Sequence, residues 1–251
     1  MMIEITPELA EICGIHAGDG YMRLRERNKG EVDISGDVEE KGYYDTHVIP
    51  LFNQVFDLDI KGKLFSRGSY GFVSYKQEIR DALISLSFPT GKKSKSVKIP
   101  ESILKSRDFK IYGAFLRGLF DTDGNLSFRK SYEGINKFNK HYNNYPTIKI
   151  VTISRDLAEG VIKILHELDI LFNYHSRDSK KSNENRNYII TISGIDGFDK
   201  WMNLIGMKNP VKLTRYLVWR KFGFCPTKIS LSQREDILND KLDPYSIGPV
   251  M

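Results

Sequence analysis

Ile12-Cys13-Gly14-Ile15-His16-Ala17-Gly18-Asp19-Gly20 is answered later in the chain by Leu116-Arg117-Gly118-Leu119-Phe120-Asp121-Thr122-Asp123-Gly124. The two stretches align without a gap at an offset of 104 residues, which also sets Ala10 against Ala114. Each copy carries a small residue every fourth position: Ala10, Gly14 and Gly18 in the first, Ala114, Gly118 and Thr122 in the second. Residues spaced i, i+4, i+8 share one face of a helix. The pattern predicts two helices packed backbone to backbone through that face, by analogy with small-xxx-small seams. A mid-helix glycine costs about 0.5–1 kcal/mol relative to alanine, so Gly14 and Gly118 call for such a contact. Each helix ends in an aspartate, where the helix dipole disfavours negative charge. Two carboxylates held together there need a cation.

The paired stretches resemble the two motifs of a single-chain LAGLIDADG homing endonuclease, over roughly residues 8–205 as two tandem copies. The resemblance implies an α+β fold: two pseudo-two-fold-related αββαββα repeats, antiparallel sheets forming a DNA-binding saddle, and motif helices packed at the centre. It implies that Asp19 and Asp123 bind the catalytic divalent metal. Magnesium takes few carboxylates plus waters and phosphate oxygens, so Mg2+ (or Mn2+) would be held by both aspartates and the carbonyls of Gly18 and Thr122. The family also places a basic residue near each scissile phosphate, at the end of the fourth strand. Here that position reads as Lys76; the matching Thr191-Ile192-Ser193-Gly194 has no lysine. Lys98 competes, but its setting reads as linker. Ala17, where the second copy has Asp121, reads as helix surface, and His16 as a packing residue.

The 251 residues suffice for one large domain or two fused small ones. A net charge of +6 with 13 tyrosines suits a polyanionic partner. Cys13 and Cys225 make no zinc or redox spacing and fit a reducing compartment. No apolar run reaches transmembrane length, and Met1–Glu11 lacks a signal-peptide pattern. The expectation is a cytoplasmic monomer with double-stranded DNA as partner and no membrane.

Four segments are expected: an N-terminal repeat 1–88, a basic linker 89–108, a C-terminal repeat 109–207 and a helical extension 208–251. After each motif the hydrophobic period drops to two. Met22 and Leu24 point inward against Arg23, Arg25 and Arg27, and Leu126 and Phe128 against Ser127 and Arg129. Helices are expected over 44–58, 77–88, 155–169 and 199–207, and hairpins over 60–76 and 172–193, the first turned at Gly68-Ser69. An insertion spans 132–146. Lys61, Lys63 and Arg67 extend the basic face of the first repeat; Arg129, Lys149, His175 and Arg177 supply that of the second. Asn209-Pro210 starts a helix, and Ser232 with Glu235 reads as a capping box for a last one. The extension carries packing and no chemistry.

These readings predict a site-specific double-strand DNA endonuclease. The alternative is an RNA maturase or a cleavage-inactive DNA-binding regulator on the same scaffold. An intein is disfavoured, because no splicing block precedes Thr6 and the chain ends Pro249-Val250-Met251.

Overall fold

The computed structural model describes residues 4–25, 30–130, 143–178 and 185–247. Helix α1 (Pro7–Asp19) starts at Thr6, whose hydroxyl accepts from the Leu9 N–H, with Pro7 at the first helical position. Its counterpart α6 (Phe109–Asp123) is capped by the Asp108 carboxylate on the Lys110 N–H. The two helices pack along the small-residue faces, with Ala10 and Ala114 fully enclosed. A Cβ added to Gly14 would lie 2.1 Å from the Phe115 carbonyl, and one on Gly118 would lie 2.3 Å from that of Glu11. Only glycine admits that approach. At the C-terminal end Gly18 faces the Thr122 hydroxyl in the same way.

Each motif helix feeds a four-stranded antiparallel sheet. In the first repeat β1 (Gly20–Leu24), β2 (Gly30–Asp37), β3 (Lys63–Leu64) and β4 (Ser69–Ser74) lie in the order β1-β2-β4-β3. In the second, β5 (Asn125–Lys130), β6 (Asn143–Thr152), β7 (Asn173–Arg177) and β8 (Asn187–Ser193) repeat it as β5-β6-β8-β7. Alternation sets one face of each sheet on the core: Met22, Val32, Ile34 and Phe72 in the first, Leu126, Ile148, Ile150, Ile190 and Ile192 in the second. Leu24, expected inward, is exposed at the end of β1.

The helix expected over 44–58 begins earlier, as a 3-10 turn at Val38–Glu40 followed by α2 (Lys41–Tyr43). A π-helical turn, Tyr44–Val48, joins it to α3 (Ile49–Phe56). Pro50 explains the irregularity: it offers no N–H and crowds the preceding turn, and widening that turn keeps the run continuous. Helix α4 (Gln77–Ser85) completes the first repeat; α7 (Arg155–Glu167) and α8 (Ile195–Leu204) complete the second.

Several expectations are corrected. The 60–67 strand shrinks to Lys63–Leu64, with a 3-10 turn at Ser66–Gly68. Strand β6 claims Asn143–Pro146 from the expected insertion; residues 131–142 lie outside the described residues, as do 179–184 of the second hairpin. The stretch 89–108 is no free linker. Val97, Ile99 and Ile103 are buried, Ser154 donates to the Val97 carbonyl, and Glu101–Ser106 forms a short helix, α5. The extension folds into α9 (Pro210–Phe222) and α10 (Leu231–Leu238). The final capping box is Ser230 with Gln233, not Ser232 with Glu235. Among the described residues no helix is long and apolar enough to cross a membrane.

Candidate active site

The C-terminal ends of α1 and α6 bring Asp19 and Asp123 close enough for the charge of Asp123 to act on Asp19. Burial pushes the Asp19 carboxyl up to about 7; the Tyr44 hydroxyl, donating to Oδ2 at 2.6 Å, opposes this, while Asp123 and Glu40 reinforce it. Asp123 is also raised by the surrounding protein, although its side chain opens to solvent on one side.

Two lysines answer these charges, and neither was assigned to the metal site from the sequence. Lys93 Nζ donates to the carbonyls of Ala17 and Gly18 at 2.7 and 2.6 Å. Lys212 Nζ donates to those of Asp121 and Thr122 at 2.5 and 3.0 Å. Both sit where unpaired helix-end carbonyls and the dipole favour a cation. Burial lowers the pKa of each, and the aspartates hold it back up.

Glu40 is a third residue that the sequence reading did not place at the site. A Cβ on Gly36 would meet Glu40 Oε2, Asp19 Oδ2 and Tyr44 Oη, each at 2.8–2.9 Å. Three oxygens thus face one small space at the end of β2. Asn209 Nδ2 donates to Glu40 Oε1 at 2.6 Å and to the Asp121 carbonyl at 2.8 Å, and Lys212 lies 3.8 Å from the same Glu40 oxygen. The extension therefore enters the site through Asn209 and Lys212.

The LAGLIDADG-like domain model matches residues 110–206. The chain is similar to that family over its second repeat. Its two-repeat fold is shared with the homing endonuclease I-DmoI, solved as mesophilic variants (15% identical, 79% of this chain and 88% of that one, TM-score 0.52). The same holds for I-DmoI in complex with DNA and Mn (16% identical, 80% and 96% covered, TM-score 0.52). A variant of I-SmaMI covers more of the chain (11% identical, 98% and 94%, TM-score 0.53). At these identities the likeness is one of fold. A Replication factor C small subunit from Methanocaldococcus jannaschii is 27% identical over 214 residues; the chain spans about a tenth of that protein's length.

The donor set suits a hard divalent cation, since every candidate atom is an oxygen. Among the described residues no three His, Cys, Asp or Glu side chains close into a metal cage. Such a metal would complete its shell with water and phosphate. The carbonyls of Gly18 and Thr122 already accept from lysine, but a carbonyl keeps a second lone pair.

Asp121 is not surface. Its side chain is fully buried, Oδ2 accepts from the Lys208 N–H at 2.7 Å, and burial pushes its carboxyl up to about 7. It ties the start of α9 to the motif helix. His16 is buried edge-on to Phe88, neither ring nitrogen has a hydrogen-bond partner among the described residues, and burial lowers it to about 3. Lys76 stands exposed at the N-cap of α4 and is not among the charges acting on either aspartate. Lys98 is exposed too; the cation contributed by that segment is Lys93.

The solvent faces of the two sheets differ. In the first repeat Glu31 meets Arg23 at 2.5 Å and Arg25 at 3.4 Å, and Asp33 faces Tyr21 and Val73 in the ladder. Lys63 lies over the Phe65 ring, while Lys61 is off the strands, 3.8 Å from Asp59. Arg27 lies outside the described residues, and Arg67 falls in the 3-10 turn. In the second repeat Arg129 stacks over Tyr145 at 4.7 Å. There Lys149 faces Asn125 and Thr191, His175 faces Ile189, and Arg177 faces Asn187, with no acid opposite any of them. The expected basic face is thus clean in the second repeat and partly neutralised in the first.

Proposed function

We propose that the chain is a metal-dependent endonuclease that cuts both strands of a long, specific double-stranded DNA target. One observation carries this reading: two aspartates converge at the ends of the central helices, each with a lysine on the carbonyls of its own helix end. A β-ribbon fits the DNA major groove, and the exposed sheet faces flank the helix ends.

Asp19 and Asp123 would hold the divalent ion, with Glu40 and Tyr44 shaping the side of Asp19 toward Gly36. Such an ion, when bound, activates a water and neutralises charge on the phosphate. Tyr44 keeps Asp19 oriented by donating to Oδ2. Lys93 and Lys212 add fixed positive charge where the scissile phosphates would carry extra negative charge. Arg23, Arg25, Arg129, Lys149 and Arg177 would bind backbone phosphate or base edges.

Selection of cleaved sequences from a randomised duplex library, with Mg2+ and separately with Mn2+, tests the reading. A single long consensus that disappears in Asp19→Asn supports it. Cleavage that persists in Asp19→Asn/Asp123→Asn, or none with either metal, refutes it.

A further inference from the structure

Away from the aspartates, at the opposite end of α1, lies a groove of about 680 Å³. Leu9, Val55, Phe56 and Ala82 form its apolar floor, where α1, α3 and α4 meet. Its rim holds four carboxylates, Glu4, Glu8, Glu78 and Asp81, and no lysine, arginine or histidine lines it. On a chain of net charge +6 this concentration of acid runs against the average. It also excludes nucleic acid as the occupant.

The second repeat shows what such a place accepts. Tyr112 stands 104 residues after Glu8, and its hydroxyl donates to the Leu104 carbonyl of α5 at 2.9 Å. Glu167, at the end of α7, and Arg107, just after α5, both act on that tyrosine. Ile103 of α5 is fully buried, and Ile99 presses on Gly160 of α7. Gly113, the counterpart of Leu9, is covered by the Leu204 carbonyl of α8. The second repeat therefore closes this side with a short helix whose Ile103-Leu104 pair is followed by Lys105 and Arg107. The first repeat leaves the equivalent side open.

We propose that the groove between α1, α3 and α4 docks a short amphipathic helix from a partner protein, an aliphatic pair seated on the floor and basic residues against the acidic rim. The apolar floor supplies the driving force and the four carboxylates select the charge. The inference does not depend on the nuclease reading, because none of these residues belongs to that site.

The probe is a fluorescein-labelled helical peptide with an Ile-Leu pair on one face and Lys and Arg on the others, titrated against the full chain by anisotropy at low salt. A peptide of the same composition in scrambled order is the control. Saturable binding is expected, at least tenfold weaker for the scrambled peptide and at least tenfold weaker in Glu78→Lys/Asp81→Lys, whose exposed positions leave the fold intact. Circular dichroism checks that fold. Absent binding, equal binding of the scrambled peptide, or an unchanged affinity in the double variant overturns the proposal. Binding only after deletion of residues 1–3 would assign the groove to the chain's own N-terminus, and a groove-dependent dimer in sedimentation would assign it to a second copy; either result also overturns it.

Discussion

Lys93 and Lys212 bond to equivalent atoms. Ala17 and Gly18 lie 104 residues before Asp121 and Thr122, and each pair of carbonyls receives one ammonium. The lysines arrive by unrelated routes, one from the segment joining the repeats and the other from α9 beyond the second. The symmetry of the site is thus rebuilt by asymmetric pieces of chain.

Replacing either lysine by methionine keeps the stem and removes the charge. Cleavage should fall about 10–100-fold in Lys93→Met or Lys212→Met, as for groups that support a metal shell. Affinity for uncut DNA should change little. Single-turnover cleavage set against binding without metal measures the split; equal losses in both would reduce the lysines to general electrostatics.

Asp19→Asn and Asp123→Asn should each lower cleavage at least about 100-fold. Both should melt no lower than the parent without metal, because each removes a carboxylate whose charge burial disfavours. Thermal melts with EDTA beside cleavage assays check both halves of this statement.

The helix seam tolerates no added carbon. Gly14→Ala would set a Cβ 2.1 Å from a backbone oxygen that belongs to the facing helix. Backbone, unlike a side-chain tip, cannot step aside, so the loss should be at least about 2 kcal/mol. Urea unfolding measures it, and a loss below about 0.5 kcal/mol, the scale of an ordinary surface change, would contradict the packing.

Glu11 crosses the same seam. Arg117 holds both its oxygens, at 2.9 and 2.5 Å, and His47 Nε2 lies 2.7 Å from Oε1. Burial raises the Glu11 pKa, but the bonds and charges of His47 and Arg117 outweigh it, and the folded value falls below the ordinary 4.5. The stabilisation is therefore complete above pH 4.5 and lost as pH drops through the folded value. Glu11→Gln should cost about 3 kcal/mol at neutral pH and flatten the acid limb of the stability curve. A parallel acid limb in the variant would locate that limb elsewhere.

DNA affinity should fall steeply with salt. Glu31→Gln releases Arg23 and Arg25 from their shared carboxylate. Its affinity for unrelated duplexes should rise, and its salt slope should steepen by about one for each phosphate newly neutralised. An unchanged slope would place the first sheet's solvent face off the DNA.

The doubled fold was legible because the repeated small-residue spacing and the switch from a 3.6 to a 2 period are local signals. The meeting of Asp19 and Asp123 at the helix ends was legible for the same reason. Glu40, Lys93, Asn209 and Lys212 were not, since they reach the site from three separate stretches of chain and none sits in either repeated motif. Val97, Ile99 and Ile103 could have shown that the middle segment is anchored, had the lysines around them weighed less in the reading. Asp121 was misjudged because α9, which covers it, starts 89 residues later. Pro50 shifted the helix start through a widened turn that residue-by-residue periodicity does not encode.

The interlocked glycines limit how such a protein can be rebuilt. With Gly14 against the Phe115 carbonyl and Gly118 against that of Glu11, each half is moulded to its neighbour's main chain. Hybrids joining one repeat to a foreign partner would have to exchange α1 and α6 together, so new pairings of halves arise by trading the central pair as a unit.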